Sequence, residues 1–283
     1  HALILYVERT PAAPIRLRHT LESGNAILHR VFIATAPSVE VTVLDEFTDA
    51  GSDESQPAHL WNPETHIQAG ANSQVRYISH RNYAAPVYHF HRISSEQARD
   101  SQVHVSIIHS GGLAGKGHVV ARMLEPGARY RGIGICSATN REFHNMEMLV
   151  EHHASHTESS LLYKTVLKDR AHSVFDGNLF IKPGVKHVDS LQVNNNILMN
   201  RRARAESLPR LVIRAEDVSC EHGATVGELD KDALFFLMAR GLTEEQARTL
   251  LIEGFLTGVI EEIPLDAGQI EIFLQEMKDK LAL

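Results

Sequence analysis

Apolar and polar residues alternate in short segments along most of the chain, from about residue 3 to residue 226. Valine, isoleucine and phenylalanine recur at every second position in segments such as "VEVTVLDEF" (39–47), "QVHVSII" (102–108) and "RLVIRAEDV" (210–218). This period is typical of half-buried β-strands, and turn residues separate the segments. Because no segment here has the length and period of a helix, the sequence predicts a mainly β fold rather than a series of β–α–β units.

A faint repeat constrains how these strands are arranged. "IQAGANSQVRY", "LEPGARYRGIG" and "IKPGVKHVDSL" place turn glycines at Gly70, Gly127 and Gly184, and both intervals are 57 residues. If one coil of a β-solenoid takes about 19 residues, each interval holds three coils and the glycines stack on one edge. Sandwiches and barrels also show regular turns, but the equal intervals favour a solenoid. "QVNNNIL" (192–198) is either an asparagine ladder between coils or an ordinary polar turn.

The pattern becomes helical after Gly227. "ELDKDALFFLMARGL" predicts a helix that ends at Gly241, and Thr243 with Gln246 predicts a capping box for a second helix that ends at Pro264. The predicted apolar stripe of the second helix comprises Ala247, Leu250, Leu251, Gly254, Phe255 and Gly258.

A third helix is predicted after Asp266, which can cap it. Its predicted apolar side comprises Ile270, Phe273, Leu274, Met277 and Leu281. The region 226–283 holds 12 acids and 5 bases, whereas residues 1–225 are balanced and contain all 18 histidines. The sequence therefore predicts a β-helix core over 1–226 and a small α-helical domain over 227–283.

Composition excludes several kinds of partner. The net charge is −7 and no basic stripe is present, so nucleic acid is not expected as a partner. The sequence contains no run of about 18 apolar residues, so no membrane span is predicted. Two cysteines cannot form a disulfide framework and indicate a reducing compartment. These features predict a cytoplasmic protein without a membrane partner.

Two glycine-rich segments resemble nucleotide-binding motifs, but each lacks a residue that its motif requires. "GGLAGKG" (111–117) lacks a lysine after the second glycine of the phosphate-loop pattern, since His118 follows Gly117. "GIGICS" (132–137) lacks the third glycine of the dinucleotide fingerprint. No nucleophile elbow or marked carboxylate pair is present, so no catalytic residue is predicted.

Histidine pairs are candidate metal ligands. In "EHHASHTES" (151–159), His152 and His156 share one face if the segment is a strand, and a third ligand from a neighbouring coil would complete a zinc or iron site. The alternative is a solvated or packed polar ladder. His89 and His91 repeat the geometry. These surface histidines support an alternative function, a metal-dependent enzyme on a β-solenoid; a third possibility is a β-helix that binds or cleaves carbohydrate.

The segment "SCEHGATVG" (219–227) contains the most specific pair of candidate site residues, a cysteine and a histidine. Cys220 and His222 share a face on a strand, and a neighbouring histidine can lower the pKa of a thiol. A thiolate carries sulfur or ligates iron, and imidazole suits the same metals. Two residues are too few for a coordination sphere, so further ligands would come from another chain. The alternative is an inert, buried cysteine beside a surface histidine.

A set of ordered motifs resembles the SufB/SufD family of iron–sulfur cluster assembly proteins. The motifs are "SVFDG" (173–177), "AESLPRLVI" (205–213), "DVSCEHGATVG" (217–227), "LFFLMARGL" (234–242) and "GF" (254–255). The resemblance is strong over about 160–262 and continues more weakly to about residue 30. The motif C-x-H-G-A-T-x-G resembles the SufD form, since Gly223 stands where the SufB form has glutamate.

The resemblance implies a right-handed parallel β-helix with a helical C-terminal domain. It implies a non-enzymatic scaffold of the SUF system, with ATPase activity in a SufC-type partner. Members pair through the β-helix, so a SufB-type subunit or a second copy of this chain is expected, together with a sulfur donor system. A transient Fe–S cluster is expected, shared with the partner chain, and none is expected tightly bound in the isolated chain.

The resemblance also assigns residues. His222 corresponds to the cluster assembly histidine and Cys220 to its neighbouring cysteine, and both are candidate metal ligands. The ATPase is expected to bind the helices, with Leu234, Phe235, Leu250 and Phe255 as candidate contacts. Family members typically begin with a helical N-terminal domain that this sequence does not contain. Cys136 has no counterpart with an assigned role; it is expected to be a buried small residue, and a sulfur relay is the alternative.

Overall fold

The computed structural model describes residues 2–21, 26–49, 58–83 and 86–282. Within them the chain forms sixteen β-strands followed by three α-helices. The first eight strands are β1 (Ala2–Val7), β2 (Ile15–Leu21), β3 (Ala26–Thr35), β4 (Glu40–Asp49), β5 (His59–Ala69), β6 (Gln74–Tyr83), β7 (Val87–Gln97) and β8 (Gln102–Gly111). The others are β9 (Ala114–Met123), β10 (Arg129–Ala138), β11 (Phe143–His152), β12 (Thr157–Leu167), β13 (His172–Ile181), β14 (Val188–Leu198), β15 (Arg204–Ile213) and β16 (Val218–Gly227). The helices are α1 (Lys231–Met238), α2 (Glu244–Ile260) and α3 (Ala267–Leu281).

The strands wind into a parallel β-solenoid of about seven turns, as predicted. Odd-numbered strands form one eight-stranded sheet, here the odd sheet, and even-numbered strands form the other, the even sheet. Arg129 pairs in parallel with Gln102, 27 positions earlier, and with Glu158, 29 positions later. One coil therefore holds two strands, and the prediction of 19-residue coils is wrong: each 57-residue interval holds two coils.

The three turn glycines do lie on one edge of the solenoid. Gly70, Gly127 and Gly184 occupy turns from the odd to the even sheet in alternate coils. Gly127 and Gly184 have φ of 78° and 81°, a conformation that favours glycine. At Gly70 the requirement is spatial, because a Cβ would lie 2.6 Å from the carbonyl oxygen of Thr35.

Alternate residues of both sheets point inward and fill the space between them. Val75, Val105, Ile107 and Phe175 are almost completely buried there. Burying each such side chain stabilises the fold by about 1.5–3 kcal/mol. The inward rows also contain histidine, serine, threonine and asparagine, so the interior is part apolar and part polar.

The helices cover the outer face of the even sheet. α2 contacts β10 and β12, and α3 contacts β8 and β10. This contact buries a second apolar cluster, which explains why consecutive residues from Ile133 to Ala138 are all buried. Its strand residues are Leu44, Ile78, Ile108, Ile133, Ile135 and Val166, and its fully buried helix residues include Ile252, Leu256, Val259, Phe273, Met277 and Leu281.

The helix caps are as predicted, but the buried face of α2 differs from the prediction. Thr243 and Gln246 form the capping box, and the Asp266 side chain accepts from the backbone N–H of Gln269. The predicted side of α3 is buried. The stripe predicted for α2 is only partly right. Ala247 is buried and Phe255 packs against the cluster, but Leu250 is exposed, and the buried residues Ile252, Leu256, Val259 and Ile260 were not predicted. None of the helices in the described part of the chain is long and apolar enough to cross a membrane.

Candidate functional site

The last coil leaves one end of the solenoid uncovered. β15 and β16 are edge strands of their sheets, and no further strand in the described ranges pairs with them. β16 lies in register on β14, so its inward row stacks on inward residues of that strand. The row in β14 is buried, whereas most of the row in β16 is exposed. The inward row of β16 comprises Val218, Cys220, His222, Ala224 and Val226.

Cys220 is half-buried in this row and packs against the solenoid core. Burial raises the pKa of its thiol, and the Asp189 carboxylate raises it further. The expectation that His222 lowers this pKa is therefore wrong for the isolated chain. The thiol is protonated at neutral pH, and a partner that supplies positive charge or metal would be needed to favour the thiolate.

His222 is exposed and lies two positions from Cys220 on the same face, as predicted. Its Cα partner is Gln192, whose side-chain oxygen is buried and has no hydrogen-bond partner in the described residues. The Gln192 amide nitrogen donates to the carbonyl of Gly177 at 3.4 Å. His222 therefore lies over buried polar side chains of β14.

Asn194 and Asn196 of β14 belong to the same buried polar row, and they link three coils. Asn194 donates to the Tyr163 carbonyl at 3.0 Å in the coil below. Asn196 donates to the Thr225 carbonyl at 3.0 Å in the coil above. Both side chains are buried in a strand. "QVNNNIL" is therefore part of a strand rather than a polar turn. Its asparagines bridge neighbouring coils through backbone carbonyls, but they do not stack on asparagines of β12 or β16.

A hydrogen-bond chain runs from His152 to Ser190, the residue that β14 places beneath Cys220. Thr157 donates its hydroxyl to the Ala154 carbonyl at 3.0 Å, so it accepts from Nδ1–H of His152 at 2.7 Å. Nε2 then accepts from the hydroxyl of Ser159 at 3.0 Å.

The donor and acceptor of the last hydrogen bond in the chain are assigned in the same way. Ser159 donates to His152 and therefore accepts from the Ser190 hydroxyl at 2.8 Å. Burial lowers the pKa of His152 to about 4, and the charge of His153 adds to this, so the imidazole is neutral at pH 7. Ser190, the Cα partner of Cys220, retains only acceptor capacity for a further neighbour.

The predicted surface metal pair is not present. β11 ends at His152, which points inward and is fully buried, whereas His156 lies in the following turn with φ 58°. The His156 ring packs against that of His187 in a tilted arrangement, with centroids 4.6 Å apart. No group of three histidine, cysteine or acidic side chains in the described part of the chain has the geometry to hold a metal ion.

His89 and His91 share a face, as predicted, but that face is the interior. His91 contacts Thr65 at 3.0 Å and fully buried Arg81 at 3.3 Å, and His89 contacts the Tyr83 hydroxyl at 2.6 Å. Burial lowers the pKa of both imidazoles well below the usual value, with the Arg81 charge as the next cause. The surface-histidine enzyme hypothesis therefore loses its proposed ligands.

Sequence reasoning missed how far this polar interior extends. His109 and His144 are also buried, with ring centroids 4.0 Å apart. The available signal was the position of these histidines on the same alternation as valine and isoleucine. Cys136 lies in the same interior, and burial followed by the Glu142 charge raises its pKa to about 12. It is a buried residue, as predicted.

Four exposed apolar side chains lie on α1 and the first half of α2. Phe235 is 72% exposed, α1 has no buried residue, and Leu250 is 49% exposed. Phe236 and Met238, which the sequence prediction left out, are exposed on α1 as well. We call these four residues the α1 patch. Of the other predicted contacts, Leu234 is partly buried, and Phe255 packs beneath Lys164, whose Nζ lies 4.7 Å from its ring centroid.

The chain is thus a parallel β-solenoid protein with a terminal helical layer and an uncovered row that carries Cys220 and His222. The chain belongs to the SufBD core family: residues 18–255 match the model described as "SUF system FeS cluster assembly, SufBD core domain".

Curated relatives support this assignment. A SufBD family iron–sulfur cluster assembly protein of Synechocystis is 23% identical over 244 residues, which are 85% of this chain and 54% of the relative. SufD of Escherichia coli is 25% identical over 258 residues, 89% of this chain and 60% of the relative. SufD of Bacillus subtilis is 26% identical over 262 residues, 89% of this chain and 58% of the relative. The chain thus spans little more than half the length of these relatives.

Proposed function

We propose that the chain is a scaffold subunit on which an iron–sulfur cluster is assembled at the open end of the solenoid. One observation carries the proposal: Cys220 and His222 lie together on an inward row that no further coil covers. A second chain that docks on β15 and β16 would cover this row and supply the missing ligands. Family membership supports cluster assembly as the process.

The second chain is a copy of this one or a SufB-type subunit. An exposed strand edge offers unpaired N–H and C=O groups to another strand. Apolar side chains on the inward rows of the last coil, such as Ile213 at 40% and Val226 at 47% exposure, would be buried in such a contact. We expect Ala224→Lys, on the inward row, to weaken the pair. Ser219→Lys, on the outward row of the same strand, is the matched control, and sedimentation velocity compares them. Equal association of both variants would count against the interface.

The role of His222 is tested by anaerobic reconstitution with a sulfur donor and a SufC-type ATPase. We expect His222→Ala to lose most of the bound iron and sulfide while chain pairing is unchanged. His187→Ala removes another histidine, with a 56% exposed side chain in the turn before β14, and serves as the control. Wild-type cluster content in His222→Ala would remove the basis for the site.

We propose the α1 patch as the ATPase contact. Exposed aromatic and aliphatic side chains on a helix that buries none of its own residues favour a protein partner. Phe235→Asp is expected to abolish capture of the ATPase. Ile272→Asp, at a 56% exposed position on α3, is the control. Capture that is equally strong with both variants would exclude this surface.

A further inference from the structure

Three arginines stack on the edge of the solenoid where the even sheet leads into the odd sheet. Arg141, Arg170 and Arg202 each lie two residues before the start of β11, β13 and β15. Because these strands pair in register, the arginines occupy the same position in successive coils. The ladder extends into the turn, where the Arg170 N–H donates to the Asn140 carbonyl at 2.8 Å.

This arginine ladder has no carboxylate partner. All three side chains are exposed, and none forms an ion pair within residues 2–21, 26–49, 58–83 and 86–282. Strands of neighbouring coils lie about 4.8 Å apart, and like charges placed directly opposite each other are unfavourable. This repulsion is small between exposed side chains and is screened by salt, but an anion that contacts neighbouring guanidinium groups would relieve it.

The ladder lines a groove with a volume of about 1050 Å³, and Lys280 of α3 also forms part of its lining. The two carboxylates in the groove are already engaged. Glu142 binds Lys280 and accepts from the Thr139 N–H at 2.9 Å. Asp169 accepts from the Asn140 N–H at 3.1 Å. The Lys280–Glu142 pair has no net charge, and Asp169 offsets one arginine of the ladder, so the groove keeps an excess of positive charge.

The groove is polar at one end and less polar at the other. Beyond the ladder its wall is formed by Pro86, Gly112 and Leu113, in the turns of the two preceding coils. Leu113 is 42% exposed. A ligand that fills the groove would thus meet guanidinium groups along one half and apolar atoms along the other.

We propose that this groove binds a small molecule that carries two or more phosphate groups. A carboxylate is saturated by one guanidinium fork, whereas a phosphate offers three acceptor oxygens and can be shared between forks on neighbouring coils. The size of the groove suits a small molecule, and the net charge of −7 disfavours a nucleic acid strand. The site is separate from Cys220 and does not depend on the proposed assembly function.

Calorimetric titration of the full chain with tripolyphosphate at low salt tests the proposal. We expect saturable binding, weaker binding of inorganic phosphate, and about a tenfold loss of tripolyphosphate affinity in Arg170→Gln, because charge-assisted hydrogen bonds are lost. Arg99→Gln is the matched control, since Arg99 is also exposed and without an ion pair in the described residues but lies on the opposite edge.

Thermal denaturation supplies a second measurement. Tripolyphosphate should raise the Tm of the wild type and leave that of the triple variant R141Q/R170Q/R202Q unchanged. Circular dichroism without ligand checks that both variants fold. The proposal is overturned if the wild type shows no saturable binding, if Arg170→Gln and Arg99→Gln lose affinity equally, or if hexaglutamate binds more tightly than tripolyphosphate.

Discussion

Cys136 and Cys220 point inward from the same sheet and differ in what lies above them. Cys136 in β10 has a coil on each side, is fully buried and has a pKa raised to about 12 by burial. Cys220 in β16 has a coil on one side only and is half-buried. Both belong to the same alternating pattern. The number of stacked coils, rather than the local sequence, therefore decides which thiol is accessible for chemistry.

The largest difference between the two regions should be in stability. Phe175 is 1% exposed, and its ring stacks on Tyr163 with centroids 5.0 Å apart. Phe175→Ala is expected to lower the free energy of unfolding by about 3–5 kcal/mol, because the neighbouring coils cannot collapse into the cavity. Val226→Ala, on the uncovered row, should change it by less than about 0.5 kcal/mol. Urea denaturation measures both, and similar values would show that the last coil is as tightly packed as the middle.

Thiol alkylation sharpens the comparison. In the native chain Cys220 should react at least about 100 times faster than Cys136, because exposure of Cys136 requires opening of a coil by a few kcal/mol. Peptide mapping by mass spectrometry quantifies each modification. The two thiols should react at similar rates in denaturant, which is the control. Native modification of Cys136 at the rate of Cys220 would contradict the burial described here.

Acid should destabilise the interior. The folded pKa of His152 is about 4, below the usual value of 6.5, so the unfolded chain binds the proton more readily. Stability that is present above pH 6.5 is lost as pH falls, by about 2 kcal/mol at pH 5 from this residue alone. In His152→Gln, the free energy of unfolding should fall less between pH 7 and pH 5 than in the wild type. The slopes should agree between pH 7.5 and 8.5, where histidines are neutral in both states. Equal acid slopes would contradict the pKa shift of His152.

Alternation and turn residues were sufficient to predict the strands, the edge that carries Gly127 and Gly184, and the capping box. The coil length could not be predicted, because a 57-residue interval accommodates two coils or three. Alternation shows that His89 and His91 share a face but not whether that face is inside. The buried face of α2 depends on the even sheet, which sequence neighbours do not reveal.

The candidate site shows the same division between local and distant information. The strand period places Cys220 and His222 on one face, and the motif resemblance points to them. The direction of the Cys220 pKa shift could not be predicted, because it depends on burial against β14 and on Asp189. Ser190 and His152, which lie beneath Cys220, are separated from it by 30 and 68 residues and carry no motif.

The helical layer closes over strands that are made much earlier in the chain. Phe273 stacks on His80 with ring centroids 4.1 Å apart, and Glu276 contacts the same histidine at 2.7 Å. On a ribosome, the first coils can form well before α3 has been synthesised. Ile78 and Ile108 then form an apolar band that faces water until the last residues emerge. A nascent or prematurely terminated chain therefore keeps that band open to chaperones and to aggregation.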